Sequence, residues 1–117
     1  MLDHIAKPFI REGVIEPWDR DLKELANFEN VWCKVSGMVT EARWKEWRAE
    51  DFKPYLDIVF GAFGPERIMI GSDWPVCTLS ATYAETMKIA LDYVGRMGSE
   101  REDDILGHNC LRFYDVE

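Results

Sequence analysis

Cysteine and histidine are scarce in this chain of 117 residues, and their spacing argues against several kinds of site. The three cysteines, Cys33, Cys77 and Cys110, form no C-x-x-C pair, so neither a zinc knuckle nor a redox pair is indicated. We expect them to be reduced, mostly buried thiols of a cytoplasmic protein. The two histidines, His4 and His108, lie far apart in the sequence, whereas zinc usually takes three or four protein ligands.

Basic residues are also too few for a polyanionic partner. Lys and Arg number 14 against 22 Asp and Glu, which gives a formal net charge of −8. This balance argues against nucleic acid, which requires a basic patch, and against an anionic membrane surface. No apolar run approaches the roughly 20 residues of a membrane helix, and we expect no signal peptide. The hydrophobic fraction of 47% and the five tryptophans favour a well-buried globular piece.

The spacing of apolar residues predicts strands that alternate with helices within one domain, residues 1–117. Strands are predicted at 1–4, 30–36 and 67–72. Helices are predicted at 19–27 with Asp19 as N-cap, at 51–63, at 80–95, and over parts of 40–48 and 99–114. Apolar spacing predicts two buried helix faces: Phe52, Tyr55, Leu56, Val59 and Phe60 in the helix at 51–63, and Tyr83, Met87, Ala90, Leu91 and Val94 in the helix at 80–95. Gly37 marks the end of the second strand, S-x-x-E at 99–102 predicts a capping box, and Gly107 is expected to end or kink the last helix. Strands that alternate with helices indicate a parallel sheet with right-handed crossovers. This pattern alone fits a small open sheet as well as part of a barrel.

The most informative stretch is R-I-M-I-G-S-D-W-P-V-C, residues 67–77. Its apolar run ends at Gly71, and Pro75 stops the strand because proline has no N–H for a ladder. Asp73 therefore follows the carboxyl end of a buried strand, with Trp74 beside it, and ligands bind at that end in α/β folds. Aspartate is also a favoured turn residue, so spacing alone fits a turn or a helix cap equally well.

Four sequence segments follow one another at a characteristic order and spacing. They are L-D-H-I-A-K-P at 2–8, V-W-C-K-V-S-G-M-V-T-E-A at 31–42, F-G-P-E-R-I-M-I-G-S-D-W-P-V-C at 63–77 and I-L-G-H-N-C-L-R-F-Y at 105–114. Together they resemble the C-terminal part of amidohydrolase family 2, metal-type hydrolases that include lactonases of sugar acids and of pyrone dicarboxylates. The resemblance implies an α/β fold, a partial (β/α)8 TIM barrel formed by the last three βα units with closing C-terminal helices. A whole barrel needs about 250 residues, so we expect the chain to be only part of one.

The resemblance also implies a reaction, the hydrolysis of a small lactone by addition of water to its carbonyl. In that reading Asp73 takes the proton from the attacking water. His4, at the end of the first strand, binds a metal or donates a hydrogen bond to the substrate carbonyl. The resemblance implies either one zinc-like divalent metal, with His4 and Asp73 as candidate ligands, or a metal-independent site. Decarboxylation or hydration of an acid, as in the wider superfamily, is the alternative reaction.

Strand parity adds further candidates for the site. Lys34 and Ser36 share one face of the strand at 30–36. Lys34 fits a salt-bridged or solvated lysine as well as a cation that pairs with Asp73 or binds a substrate carboxylate or carbonyl. Ser36 is expected to donate a hydrogen bond to the substrate, and Trp74 to form a pocket wall. If Asp73 points into the barrel, Gly71 does so too and leaves room for the substrate.

Some residues that the resemblance implies are missing from the sequence. The family's first strand carries an H-x-H pair, and no such pair occurs here. We therefore keep a competing expectation, an inactive truncated product or a half-barrel that depends on a partner and self-associates through open edges. The expected partners are otherwise a small lactone or carboxylated substrate, with no nucleic acid and no membrane.

Overall fold

Two short parallel strands and one isolated bridge form the sheet in the computed structural model, which describes residues 1–116. Strand β1, Cys33–Val35, pairs with strand β2, Ile68–Ile70, and Lys34 lies opposite Met69. On the other side of β1, Leu2 forms a parallel bridge to Cys33, and its N–H donates to the carbonyl of Trp32 at 2.7 Å. The three predicted strand segments are therefore neighbours in sequence order, although each is shorter than predicted.

Five helices surround these strands. They are α1 (Trp18–Ala26), α2 (Lys53–Phe63), α3 (Tyr83–Val94), α4 (Ser99–Asp103) and α5 (Asn109–Tyr114). Tight turns lie at Asp3–Ala6, Val39–Glu41, Ala49–Asp51 and Val76–Leu79, and a π-helical turn, Asp104–His108, joins α4 to α5. Strands and helices alternate as predicted, and the fold is α/β. None of the helices in residues 1–116 reaches the length and apolar content that crossing a membrane requires.

Helix α2 and the residue before it supply much of the core. Their apolar residues recur at i, i+3, i+4, i+7 and i+8, which places them on one face of a helix. That face is buried as predicted, and it consists of Phe52, Tyr55, Leu56, Val59 and Phe60. The rings of Trp18 and Trp47 pack against it at centroid distances of 5.4 Å from Tyr55 and 5.2 Å from Phe52.

Several local predictions are wrong, each for a physical reason. Residues 40–48 form no helix beyond the turn Val39–Glu41, because Ala42 is extended, with a ψ of −177°, and Lys45 has a left-handed φ of 63°. Pro17, not Asp19, occupies the N-cap of α1. The capping box forms at Thr82 and Glu85 rather than at Ser99–Glu102, since Gly98 is the N-cap of α4.

The buried face of α3 agrees only in part with the predicted one, since Ala90 and Val94 are buried as predicted. Tyr83 and Leu91 are 53% and 39% exposed, whereas Thr86 and Ile89 are buried. The Thr86 hydroxyl donates to the carbonyl of Thr82 at 2.8 Å, so its polar group is satisfied inside the core. A threonine that satisfies its own hydroxyl packs as an apolar residue, and the hydrophobic pattern alone does not reveal this.

Asn109 links the C-terminal helices to the sheet by hydrogen bonds. Its side chain is fully buried, and Nδ2 donates to the carbonyls of Pro65 at 2.6 Å and Ile68 at 2.7 Å. Gly107, expected to end or kink the helix, lies inside the π-helical turn that places Asn109 against β2. The closing segment therefore helps to fix the start of β2, the strand that precedes Asp73.

The segment after Leu2 runs through a left-handed backbone turn. The φ angles of His4, Ile5, Ala6 and Lys7 are 54°, 46°, 60° and 49°. This conformation costs residues other than glycine roughly 1–2 kcal/mol each in conformational energy. Two contacts hold the turn in place, since Ile5 is fully buried and the Trp18 indole donates to the Ile5 carbonyl at 2.7 Å.

Ala6→Gly is expected to stabilise the protein by about 0.5–1 kcal/mol. Glycine relieves the left-handed backbone at an exposed position, and the relief exceeds the extra chain entropy that glycine loses on folding. The measurement is the free energy of unfolding in urea. Ala84→Gly is the control, because Ala84 is exposed within α3 and should lose about 0.5–1 kcal/mol. Equal losses for both variants would refute a left-handed turn at Ala6.

Candidate active site

Three of the predicted site residues meet beyond the carboxyl ends of the strand positions. His4 follows the Leu2 bridge, Ser36 follows β1 and Asp73 follows β2. His4 Nδ1 lies 2.7 Å from Ser36 Oγ, and His4 Nε2 lies 3.8 Å from Asp73 Oδ1. The side chains of His4 and Asp73 are 31% and 21% exposed, so both are partly shielded and still reachable by a ligand.

The carboxylate of Asp73 takes no part in the hydrogen bonds of the turn that contains this residue. The N–H of Cys77 donates to the main-chain carbonyl of Asp73 at 2.9 Å, and the N–H of Trp74 donates to Ser72 Oγ at 3.1 Å. Within residues 1–116 no hydrogen bond reaches the Asp73 carboxylate, which faces His4 instead. Asp73 also has a left-handed φ of 56°, a conformation that clusters at functional sites.

Glycines make room for the side chains around this cluster. Gly37 has a φ of +63°, and a Cβ there would lie 2.7 Å from His4 Nδ1 and 2.8 Å from His4 Cγ. A Cβ on Gly71 would lie 3.1 Å from Lys34 Cδ and 3.4 Å from Ser36 Cβ. Gly71 therefore shares a face with Lys34 and Ser36, in agreement with the predicted parity.

Lys34 is engaged by Asp3 rather than by Asp73. Its Nζ lies 3.2 Å from Asp3 Oδ1. Burial acts to lower the pKa of Lys34, but the hydrogen bond and charge of Asp3, together with Tyr114, outweigh it and hold that pKa above its ordinary value. Lys34 is therefore a charged, paired lysine beside the candidate site. Sequence reasoning missed Asp3 as its partner, although it precedes His4 in the D-H motif.

The predicted pocket wall, Trp74, lies at the rim with 63% of its surface exposed. Trp44 is also largely exposed, at 52%. Gly37 was read only as a strand end, and its role beneath the imidazole of His4 was missed. A signal was present in the sequence, because serine followed by glycine at the mouth of a strand permits another side chain to approach the backbone closely.

The described residues do not by themselves fit a zinc ion. Among residues 1–116 no group of three or more His, Cys, Asp or Glu side chains could hold a metal, and only His4 and Asp73 converge. Burial, with a smaller contribution from Asp3, raises the pKa of the Cys33 thiol to about 12, so Cys33 supplies no thiolate. Two ligands fall short of the three or four that zinc usually takes from a protein.

Comparison with known proteins places these residues in a wider group. The family model described as Amidohydrolase matches residues 1–116. The chain is 38% identical over 124 residues to an L-fucono-1,5-lactonase of Burkholderia multivorans, covering 97% of this chain and 42% of that relative. It is 35% identical over 121 residues to an L-fucono-1,5-lactonase of Burkholderia ambifaria, covering 100% of this chain and 41% of that relative. The chain thus spans about two fifths of the length of these relatives.

A solved structure agrees with the fold. The crystal structure of an amidohydrolase from Burkholderia multivorans with bound zinc superposes with a TM-score of 0.92 at 38% identity, covering 99% of this chain and 43% of that one. Together with the family match, this similarity confirms the resemblance seen in the sequence segments at 2–8, 31–42, 63–77 and 105–114.

Proposed function

Since this chain belongs to the amidohydrolase family, we propose that it is part of a hydrolase that opens a small lactone by adding water to the ring carbonyl. The observation that carries the proposal is the pair formed by Asp73 and His4, whose facing atoms lie 3.8 Å apart. The names of the two Burkholderia lactonases support a sugar-acid lactone as the substrate class. A carboxylated lactone is the second substrate class, as the resemblance implies.

In the proposed reaction Asp73 is the general base. A carboxylate accepts a proton readily when it is held beside the attacking water in a partly shielded site, and its geometry must leave both oxygens available. The Asp73 carboxylate meets this condition, because the turn uses only its main-chain carbonyl. As water attacks the carbonyl carbon, the proton passes to Asp73 and negative charge develops on the carbonyl oxygen.

His4 is proposed to stabilise that developing charge. Its Nε2 faces the same space as Asp73 Oδ1, so one substrate group can contact both. Lys34 is already paired with Asp3, so binding of a substrate carboxylate or carbonyl by Lys34 would have to replace or share that ion pair. Trp74 offers an exposed aromatic surface that can cover one side of the lactone ring.

A divalent metal in a hydrolase polarises the carbonyl and lowers the pKa of bound water. Among the described residues, His4 and Asp73 are the candidate ligands, and a complete site would need ligands from outside residues 1–116. No step of the reaction proposed here passes through the metal.

A lactone panel tests the reaction class. The full natural protein that carries this chain is assayed with sugar-acid lactones and carboxylated lactones by pH-stat, since each ring opening releases one proton. We expect proton release that tracks lactone consumption. Release of carbon dioxide, or hydration of an unsaturated acid without ring opening, would identify the alternative chemistry and refute the lactonase proposal.

We also propose that the three strand positions are consecutive strands of a partial barrel, and that the isolated chain associates with a second copy. Within residues 1–116 the sheet has no strand beyond β2 on that side. The segment that follows β2 exposes four large apolar side chains by half or more, namely Trp74, Val76, Leu79 and Tyr83. Exposed apolar side chains and an open sheet edge each favour association.

Replacing both Val76 and Leu79 with aspartate is expected to abolish this association. The charges would have to be desolvated in the interface, which costs more than the lost apolar contact. Sedimentation velocity over a range of concentrations is the measurement, and Leu25→Asp, an exposed position on α1, is the control that should still associate. A wild-type chain that stays monomeric at every concentration would exclude association through this patch.

A further inference from the structure

The contact between Ser36 and His4 can be made in two ways. Ser36 Oγ lies 2.7 Å from His4 Nδ1, and Ser36 is only 4% exposed. Neutral imidazole carries its hydrogen on one ring nitrogen, so Nδ1 donates in one tautomer and accepts in the other. A serine hydroxyl serves either tautomer. The direction of this hydrogen bond therefore decides which nitrogen of His4 carries the hydrogen toward Asp73.

The need of the Ser36 hydroxyl hydrogen for an acceptor favours one direction of this hydrogen bond. Among residues 1–116, His4 Nδ1 is the partner of Ser36 Oγ. If Nδ1–H donated to Ser36, the hydroxyl hydrogen would be buried without an acceptor, at a cost of about 1–3 kcal/mol. If Ser36 donates, its hydrogen is used and only acceptor capacity is left over, which buried groups tolerate better.

The charge of Asp73 favours the same direction. Asp73 Oδ1 lies 3.8 Å from His4 Nε2. An N–H on Nε2 presents its positive end to the carboxylate, whereas a lone pair on Nε2 would face a negatively charged oxygen. Asp73 and Ser36 thus act on opposite edges of one ring and favour the same tautomer.

Gly37 keeps the ring where both contacts form. The His4 ring lies so close to the Gly37 backbone that a Cβ would come within 2.7 Å of Nδ1. Ser36 and Gly37 therefore together fix the position of the His4 imidazole.

From these contacts we propose that Ser36 is a positioning residue that donates its hydroxyl hydrogen to His4 Nδ1 and holds neutral His4 as the Nε2–H tautomer. Resting on the lactone hydrolysis proposed above, this makes His4 a hydrogen-bond donor to the carbonyl oxygen of the substrate. It also assigns Ser36 to His4 rather than to the substrate. A metal at Nε2 would require the ring hydrogen to move to Nδ1 and the Ser36 hydroxyl to turn round.

The tautomer can be measured without substrate. The full chain is labelled with 15N-histidine and studied by long-range proton–nitrogen correlation at alkaline pH, where the histidine signals no longer change with pH and the imidazole is neutral. His108→Gln removes the only other histidine signal, and its side chain is 61% exposed. We expect Nε2 at the shift of a hydrogen-bearing nitrogen and Nδ1 at the shift of a bare one. A hydrogen on Nδ1, or shifts averaged over both tautomers, would overturn the proposal.

Variants of Ser36 separate positioning from mere packing. Ser36→Ala is expected to populate the Nδ1–H tautomer measurably, although Asp73 still favours Nε2–H. Ser36→Thr, which keeps a hydroxyl, is expected to restore the Nε2–H form. In the active natural protein Ser36→Ala should lower kcat by about tenfold with little change in KM, because the bond to the carbonyl matters most as charge develops. Ser99→Ala, at an exposed position, is the control and should alter neither kcat nor the tautomer.

The spectroscopic and kinetic results fail independently of each other. A protein that hydrolyses no lactone would refute the proposed function but leave the tautomer of His4 readable. A lactonase in which His4 carries its hydrogen on Nδ1 would refute the role of Ser36 and leave the proposed function standing. Loss of the Nε2–H form in both Ser36→Ala and Ser36→Thr would also overturn the role given to the hydroxyl.

Discussion

Asp73→Asn is expected to lower kcat/KM for lactone hydrolysis by roughly 10²–10⁴ in the full natural protein that carries this chain. Asparagine keeps the shape of the side chain, but its amide does not accept a proton from the attacking water. The contacts of the main chain at Asp73 are unchanged, since the turn is held by its carbonyl and not by its side chain. The loss should therefore appear in catalysis, with little change in the free energy of unfolding.

A matched variant shows that the effect belongs to this position. Asp21→Asn removes one negative charge from an exposed position of α1 and should leave kcat/KM within about twofold, as surface changes usually do. Circular dichroism and urea unfolding check that both variants fold alike. A decrease of less than about tenfold in kcat/KM for Asp73→Asn would refute the assignment of Asp73 as the general base.

Gly37→Ala is expected to cost roughly 2–4 kcal/mol of stability and about 100-fold in activity. Two effects add up at this position. Alanine is strained at a φ of +63°, and its Cβ would lie 2.7 Å from Nδ1 of His4, so the imidazole must move. Displacing a catalytic group by about 1 Å is enough for a loss of this size.

Gly13→Ala separates the two effects. Gly13 has a similar φ of +67°, but a Cβ there meets nothing within 4 Å. This control carries the backbone strain alone and should cost about 0.5–1 kcal/mol without loss of activity. The free energies of unfolding in urea and the rates of lactone hydrolysis are the measurements. Equal stability losses for the two variants would contradict the close approach of His4 to Gly37.

The sequence predicted the features that depend on local pattern. The buried face of α2 follows directly from apolar spacing, and the order of the three strand segments follows from their alternation with helices. Asp73 could be placed just after the carboxyl end of a strand, because the apolar run ends at Gly71 and Pro75 prevents the strand from continuing. These signals lie within a few residues of one another, and tertiary contacts do not override them.

Features that depend on distant partners could not be predicted in this way. The pairing of Lys34 with Asp3 joins a strand to the residue before His4, and no spacing rule connects them. The left-handed turn from His4 to Lys7 contradicts local preference and persists because Ile5 is buried and bonded to Trp18. The position of the His4 ring depends on Ser36 and Gly37, which become neighbours of His4 only once the strands pair.

One measurement tests the central claim, that Asp73 activates water which then attacks the lactone directly. The active protein is given a single turnover of lactone in water enriched in oxygen-18, and product and protein are analysed by mass spectrometry. The account predicts that the hydroxy-acid product gains one oxygen-18 in that turnover while the Asp73 carboxylate keeps its own oxygens. Product without the heavy isotope, with oxygen-18 found in Asp73 instead, would show that Asp73 attacks the carbonyl itself and would contradict the account.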